Sequence, residues 1–136
     1  MYFMMMTATF LVSSSAGAAA NPRDAVEAFA RAGDSRDLGA LERVLHEQYR
    51  ATVIMSGSVE PSFMSKADYL GLIRAKKIGG DSRRVQILDV DTQGDVAFAR
   101  VRLTGKQATF ESIQTVVKGS TGWQLLGETV LFAPKS

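Results

Sequence analysis

The chain of 136 residues contains no cysteine, a single histidine and three prolines. The first absence excludes disulfides, thiol nucleophiles and thiolate metal sites. One histidine, His46, excludes a metal centre built on several imidazoles, and the residues imply no cofactor. Excess charge is also lacking: 16 Lys and Arg face 14 Asp and Glu, a formal net charge of +2. Nucleic-acid binding ordinarily needs a clustered basic face, so nucleic acid is not an expected partner. Finally, no apolar run approaches the about 20 residues that a helix needs to cross a bilayer, so no stable membrane anchor is expected. What remains is 46% hydrophobic and 22% charged, the balance of one ordinary folded domain.

Met1–Ala20 differs from the rest and carries no charged side chain. An apolar stretch to Val12 gives way to serines and small residues, and Ala18-Ala19-Ala20 has the pattern of an export cleavage site. No Lys or Arg precedes the run. The segment predicts a signal peptide over residues 1–20, a mature domain over 21–136, and a periplasmic or secreted location; a misassigned start and a cytoplasmic protein is the other reading.

Helix signals open the mature chain. Asn21 followed by Pro22 suits a helix start, and Ala25, Val26, Phe29 and Ala30 share one face up to a stop at Gly33. Asp37 caps a second helix with the stripe Leu38, Leu41, Val44 and Leu45, ending near His46. A strand over Tyr49–Met55 follows, then a turn over Gly57–Pro61. Ser65-Lys66-Ala67-Asp68 has the capping-box spacing and starts a third helix over Lys66–Lys77. Four strands complete the chain, over Arg84–Asp91, Val96–Leu103, Thr109–Val117 and Trp123–Phe132, joined by turn-like segments rich in glycine. In the second of them Ala97, Ala99, Val101 and Leu103 form a purely apolar face opposite Phe98, Arg100 and Arg102. Helices gathered on one side of a mainly antiparallel sheet make an α+β fold.

This order resembles the superfamily of nuclear transport factor two, ketosteroid isomerase and the SnoaL-like polyketide cyclases. Within it the chain is most similar to the putative lumazine-binding subfamily. The segments that carry the likeness are Ala40–His46, Met64–Leu70, Ile87–Asp91 with Gly94–Ala97, and Gly122–Leu125. The resemblance implies a cystatin-like cone: a curved antiparallel sheet wrapped around N-terminal helices, with a pocket between them and a homodimer through the outer sheet face. It implies no particular activity. At the positions that match the isomerase base and tyrosine stand Met55 and Phe29, neither of which can exchange a proton, and the acid position falls at Glu111.

If the resemblance sets the register, Glu111 points into the pocket and Glu128 does so from the next strand. Facing solvent, or pairing with Arg100 or Arg102, is the other reading, because a shift of one residue reverses a strand's faces. His46 suits either a pocket base or a favourable helix C-terminal residue. The expected pocket is lined by Phe29, Met55, Tyr69, Val101, Ile113 and Leu126, with Glu111 as a single polar anchor. Tyr49 and Tyr69 could also offer hydroxyls. The basic residues Arg74, Lys76, Lys77, Arg83 and Arg84 flank Gly79-Gly80 without P-loop spacing and read best as solvated loop charge. Three functions fit: a binder of a small hydrophobic or aromatic molecule; an acid–base enzyme of isomerase, cyclase or hydrolase type using Glu111 with His46 or Glu128; and a dimeric interaction domain without a ligand.

Overall fold

The computed structural model describes residues 19–135. The export signal predicted for residues 1–20 lies outside them except for Ala19 and Ala20. Helix α1 (Pro22–Ser35) starts where expected: the Asn21 side chain accepts from the Asp24 N–H, and Pro22 occupies the first turn, where no N–H is needed. It ends at Ser35, two residues after Gly33, and is capped by Arg36, whose left-handed backbone sends its N–H to the carbonyls of Ala32 and Gly33. Asp37 caps the short helix α2 (Leu38–Val44).

The chain then enters β1 (Leu45–Met55) without a loop, so the first strand begins four residues earlier than its alternation suggests. A short strand, β2 (Ser62–Ser65), pairs antiparallel with β1 and was hidden in the sequence as a lead-in to the next helix. Helix α3 (Lys66–Arg74) carries the full capping box between Ser65 and Asp68. It stops three residues short of the predicted Lys77. The strands β3 (Arg84–Gln93), β4 (Val96–Thr104), β5 (Ala108–Gly119) and β6 (Gly122–Pro134) follow as a meander.

The six strands form one sheet in the order β2-β1-β6-β5-β4-β3. Every neighbouring pair is antiparallel except β1 with β6, which run parallel, so the sheet is mixed rather than wholly antiparallel. The helices pack on one face. Ala25, Val26 and Phe29 of α1 and Leu41 of α2 meet Ala97, Ala99 and Val101 of β4 and Leu125 of β6 in the core. The apolar face of β4 is therefore the inner one, as its alternation requires. The opposite sheet face exposes Phe98, Ile113 and Leu131, each more than 40% accessible.

One irregularity decides which side chains reach the interior near the open end of the sheet. Along β6, Trp123 and Leu125 point inward. Opposite Thr115 and Val116 the pairing slips: Thr115 faces Gly127 while Val116 faces Leu125, leaving Leu126 as an extra residue. The bulge reverses the parity of the strand, so beyond it Glu128, Val130 and Phe132 are the inward residues.

Candidate functional site

Between the helices and the inner sheet face lies a cavity of about 520 Å³. Its wall is mostly apolar. Phe29 comes from α1, Val53 from β1, Tyr69 from α3, Leu103 from β4, Phe110 from β5 and Phe132 from β6. The rings of Phe29, Tyr49 and Tyr69 form a triangle, with centroids 5.6–6.2 Å apart. Such tilted and edge-on contacts place ring edges against ring faces, the favoured aromatic geometry. Phe110 meets Phe132 at 5.2 Å across β5 and β6.

Polar groups on this wall are few and organised around Glu128. Its carboxyl accepts hydrogen bonds from the Tyr49 hydroxyl at 3.0 Å, the Ser112 hydroxyl at 3.1 Å and the Gln114 side-chain amide at 3.1 Å. Ser112 and Gln114 stand two apart on the inner face of β5, and Gln114 is directly opposite Glu128 in the ladder. Burial pushes the Glu128 carboxyl above the ordinary carboxylate range, since desolvation penalises its charged form. The three donors and the positive charge of Arg83 act in the other direction and do not outweigh it. Tyr49 and Tyr69 are both raised above the ordinary phenol value, chiefly by burial and secondly by the neighbouring Glu128, so both remain neutral phenols.

Arg83 is a second ionic group on the wall, and Lys77 and Asp81 stand where the cavity meets a neighbouring depression. The Arg83 Nε donates to Asp34 at 2.6 Å, its backbone N–H donates to the same carboxylate, and Nη2 reaches the Ala30 carbonyl at 3.2 Å. The guanidinium lies over the Phe110 ring, 5.1 Å from its centroid. It is thus a shielded ion pair joining the β3 approach to α1, not the solvated loop charge its sequence neighbourhood suggests.

The site differs from expectation at several positions. Glu111 faces the outer side of the sheet, where it accepts from Arg102, its cross-strand partner. Ile113 shares that outer face and is 57% exposed. Both errors have one cause: over Phe110–Val117, β5 carries two polar and two apolar residues on each face, so alternation alone does not orient it. Met55 lies at the exposed end of β1, and Leu126 sits on the bulge, off the cavity wall. Val101 does point inward but is packed into the core away from the cavity. His46 falls in β1 because α2 ends at Val44; its Nδ1 accepts the Gln48 N–H, and it takes no part in the cavity wall. Phe29 and Tyr69 do line the cavity, and Glu128 is the carboxylate that enters it. Ser112 and Gln114 were not anticipated at all. The β4–β5 turn held the missing signal: with Lys106-Gln107 as a two-residue turn and Gly105 opposite Ala108, counting outward sets Leu103 opposite Phe110, and hence Val101 opposite Ser112 and Arg102 opposite Glu111.

Among the described residues no cluster of His, Asp and Glu has the arrangement of a metal centre, and no helix is long and apolar enough to cross a membrane.

A family described as Putative lumazine-binding matches residues 19–129 of the sequence. The chain belongs to that family. Solved structures similar to it carry the same fold at low identity. An NTF-2 like protein of unknown function from Silicibacter pomeroyi is 20% identical, covers 81% of this chain and 91% of its own, and superposes with a TM-score of 0.70. An NTF2-like protein of unknown function from Shewanella baltica is 13% identical, with coverage of 95% and 100% and a TM-score of 0.70. A domain from Thiobacillus denitrificans, described as a putative calcium/calmodulin-dependent protein kinase type II association domain, is 15% identical, with coverage of 88% and 98% and a TM-score of 0.64. No functionally curated protein matches the sequence. The Putative lumazine-binding family thus joins this chain to the NTF2-like fold, and identities this low carry the fold alone.

Proposed function

We propose that this member of the family binds a small hydrophobic or aromatic molecule in the cavity, with Glu128 as the group that fixes its orientation. The observation that carries the reading is a buried acidic side chain, held by three donors, on a wall that is mostly aromatic and aliphatic. Ligand sites have this composition: apolar surface for affinity, a few placed polar groups for specificity. A carboxyl whose proton affinity is raised by burial offers a ligand a donor when it holds its proton, which a charged carboxylate does not. Phe29 and Tyr69 supply ring faces for an aromatic body.

An acid–base enzyme is the second reading, and the same carboxyl supports it. A side chain whose proton affinity is raised by burial, next to a neutral phenol, is the kind of group that serves in proton transfer. Glu128 and Tyr49 would be its working residues; Glu111 and His46 have no place in it. We also propose a homodimer through the outer sheet face, which exposes Phe98, Ile113 and Leu131, and export of the chain with cleavage after Ala20.

Native mass spectrometry of the protein purified from its own host tests the binding reading. A bound small molecule released on denaturation is expected, together with uptake of phenylnaphthylamine, a neutral aromatic probe. Ala108→Trp, which directs a ring into the cavity, should abolish that uptake in a folded protein. A wild-type chain that carries no small molecule and takes up no probe would overturn the reading. Turnover of the bound compound that disappears with Glu128→Gln would favour the enzyme.

A further inference from the structure

The cavity opens beside a second, polar depression, and the two share Lys77, Gly79, Asp81 and Gln107. Arg36, Lys76 and Lys106 complete the depression's charged rim. These cations come from three places far apart in sequence: the end of α1, the segment after α3, and the β4–β5 turn. Their convergence is therefore a product of the fold and not of a run of basic residues. Among the described residues, none of Arg36, Lys76, Lys77 and Lys106 forms an ion pair. One carboxylate, Asp81, faces them, and it already accepts the Gln107 N–H.

The rim is also built to hold its shape. Arg36 donates from Nε to the Ile78 carbonyl at 3.1 Å and from Nη2 to the Gly79 carbonyl at 3.0 Å, which pins its guanidinium across the loop. Arg36 and Lys76 both have left-handed backbones, at φ 53° and 59°. Two non-glycine residues in that region mark a segment whose conformation is over-determined by its surroundings.

We propose that the ligand is an anionic amphiphile: an aromatic or aliphatic body enclosed by the cavity, and a carboxylate, sulfonate or phosphate held at the mouth by Lys76, Lys77, Lys106 and Arg36. This rests on the cavity being a binding site and adds the charge and polarity of its occupant. The arrangement divides labour along the ligand. Apolar burial supplies affinity, while several unpaired cations near an opening supply direction and faster capture of an anion. Arg83 contributes little to this, because Asp34 already neutralises it.

Two fluorescent probes with one skeleton test the proposal: anilinonaphthalene sulfonate, and phenylnaphthylamine, which lacks the sulfonate. The expected result is tighter binding of the sulfonate by about tenfold at low salt, a margin that narrows as salt is added. Lys76→Gln with Lys106→Gln should cut the affinity ratio of the two probes by about fivefold. A ratio near unity at low salt, or one unmoved by the double variant, would overturn charge selection while leaving the cavity reading intact. Failure of folded wild-type protein to take up either probe would overturn both. Ala108→Trp should abolish uptake of both; sulfonate binding that survives in that variant places the anion outside the cavity and also overturns the proposal.

Discussion

The Tyr49 hydroxyl donates to Glu128 across 3.0 Å, joining β1 to β6 at the one parallel pairing of the sheet. The two residues are 79 apart in sequence, so the bond closes the fold as well as the site. Tyr49→Phe keeps the ring and its contacts with Phe29 and Tyr69 but removes one donor from a buried acceptor. A stability loss of about 1–2 kcal/mol is expected in urea denaturation. Loss of a donor to the carboxylate should also raise the proton affinity of Glu128 further, a shift visible in its side-chain carboxyl NMR titration. A downward shift would contradict the assigned direction of the bond.

Glu128 makes stability depend on pH in a defined sense. Burial raises its folded-state pKa above the ordinary value of 4.5. Below that ordinary value both folded and unfolded chains are protonated, and the full contribution is present. As pH rises the unfolded chain ionises first, so stability falls until the folded carboxyl titrates as well. Glu128→Gln cannot ionise. Its stability should therefore decline less than that of the wild type over the same rise, measured by chemical denaturation across a pH series. Parallel curves would show that Glu128 is not the perturbed group.

Glu111 provides the contrasting case. It and Arg102 are each about 40% exposed, at 41% and 42%. An ion pair so open to water contributes little, because solvent screens it and ordering two side chains costs entropy. Glu111→Gln should cost under about 1 kcal/mol and leave uptake of a neutral aromatic probe unchanged. Lost uptake in a variant of unchanged stability would return this residue to the site.

The contrast between these two carboxylates shows which features can be read from the amino-acid order. Local signals were legible: Asn21 and Asp37 as caps, the Ser65–Asp68 box, and the apolar face Ala97–Leu103 all predict what they form. The site was legible at Phe29 and Tyr69, on helix faces, but the choice between Glu111 and Glu128 was not, because it depends on a bulge. No regular alternation along β6 can place both Trp123 and Glu128 inside; the extra residue at Leu126 does so. The mouth was hidden for a related reason. Arg36, Lys76 and Lys106 have no common period in the sequence, and only the packing of the loop after α3 against the end of α1 and the β4–β5 turn brings them together.

Lys66 is a buried cation with a structural task. Only 7% of its side chain is accessible. Its ammonium donates to the carbonyls of Glu42 and Leu45 at 2.9 and 3.0 Å and pairs with the carboxylates of Glu42 and Glu47. These carbonyls sit at the end of α2, where no further helical turn can satisfy them. Lys66→Met preserves most of the aliphatic stem and deletes the donors. The expected cost is about 1–3 kcal/mol, read from the urea midpoint. Lys66→Arg should recover part of it; a methionine variant as stable as wild type would remove the capping role.

Gly79 holds the loop that carries the basic rim against α1. Its φ is +81°, and a Cβ there would lie 2.6 Å from the Gly33 carbonyl oxygen and 2.9 Å from the Ile73 side chain. Gly57 has nearly the same backbone angle, +86°, but open space around it. Replacing each with alanine separates two effects that a single variant would confound. Gly57→Ala reports the left-handed backbone alone, roughly 1 kcal/mol. Gly79→Ala adds a collision with backbone that has no room to yield, and should cost at least about 1 kcal/mol more. If the mouth of the cavity is held by this contact, Gly79→Ala should also weaken the preference for the sulfonate probe, whereas Gly57→Ala should not. Equal losses of stability in the two variants would mean that the loop after α3 is not seated on α1 as described.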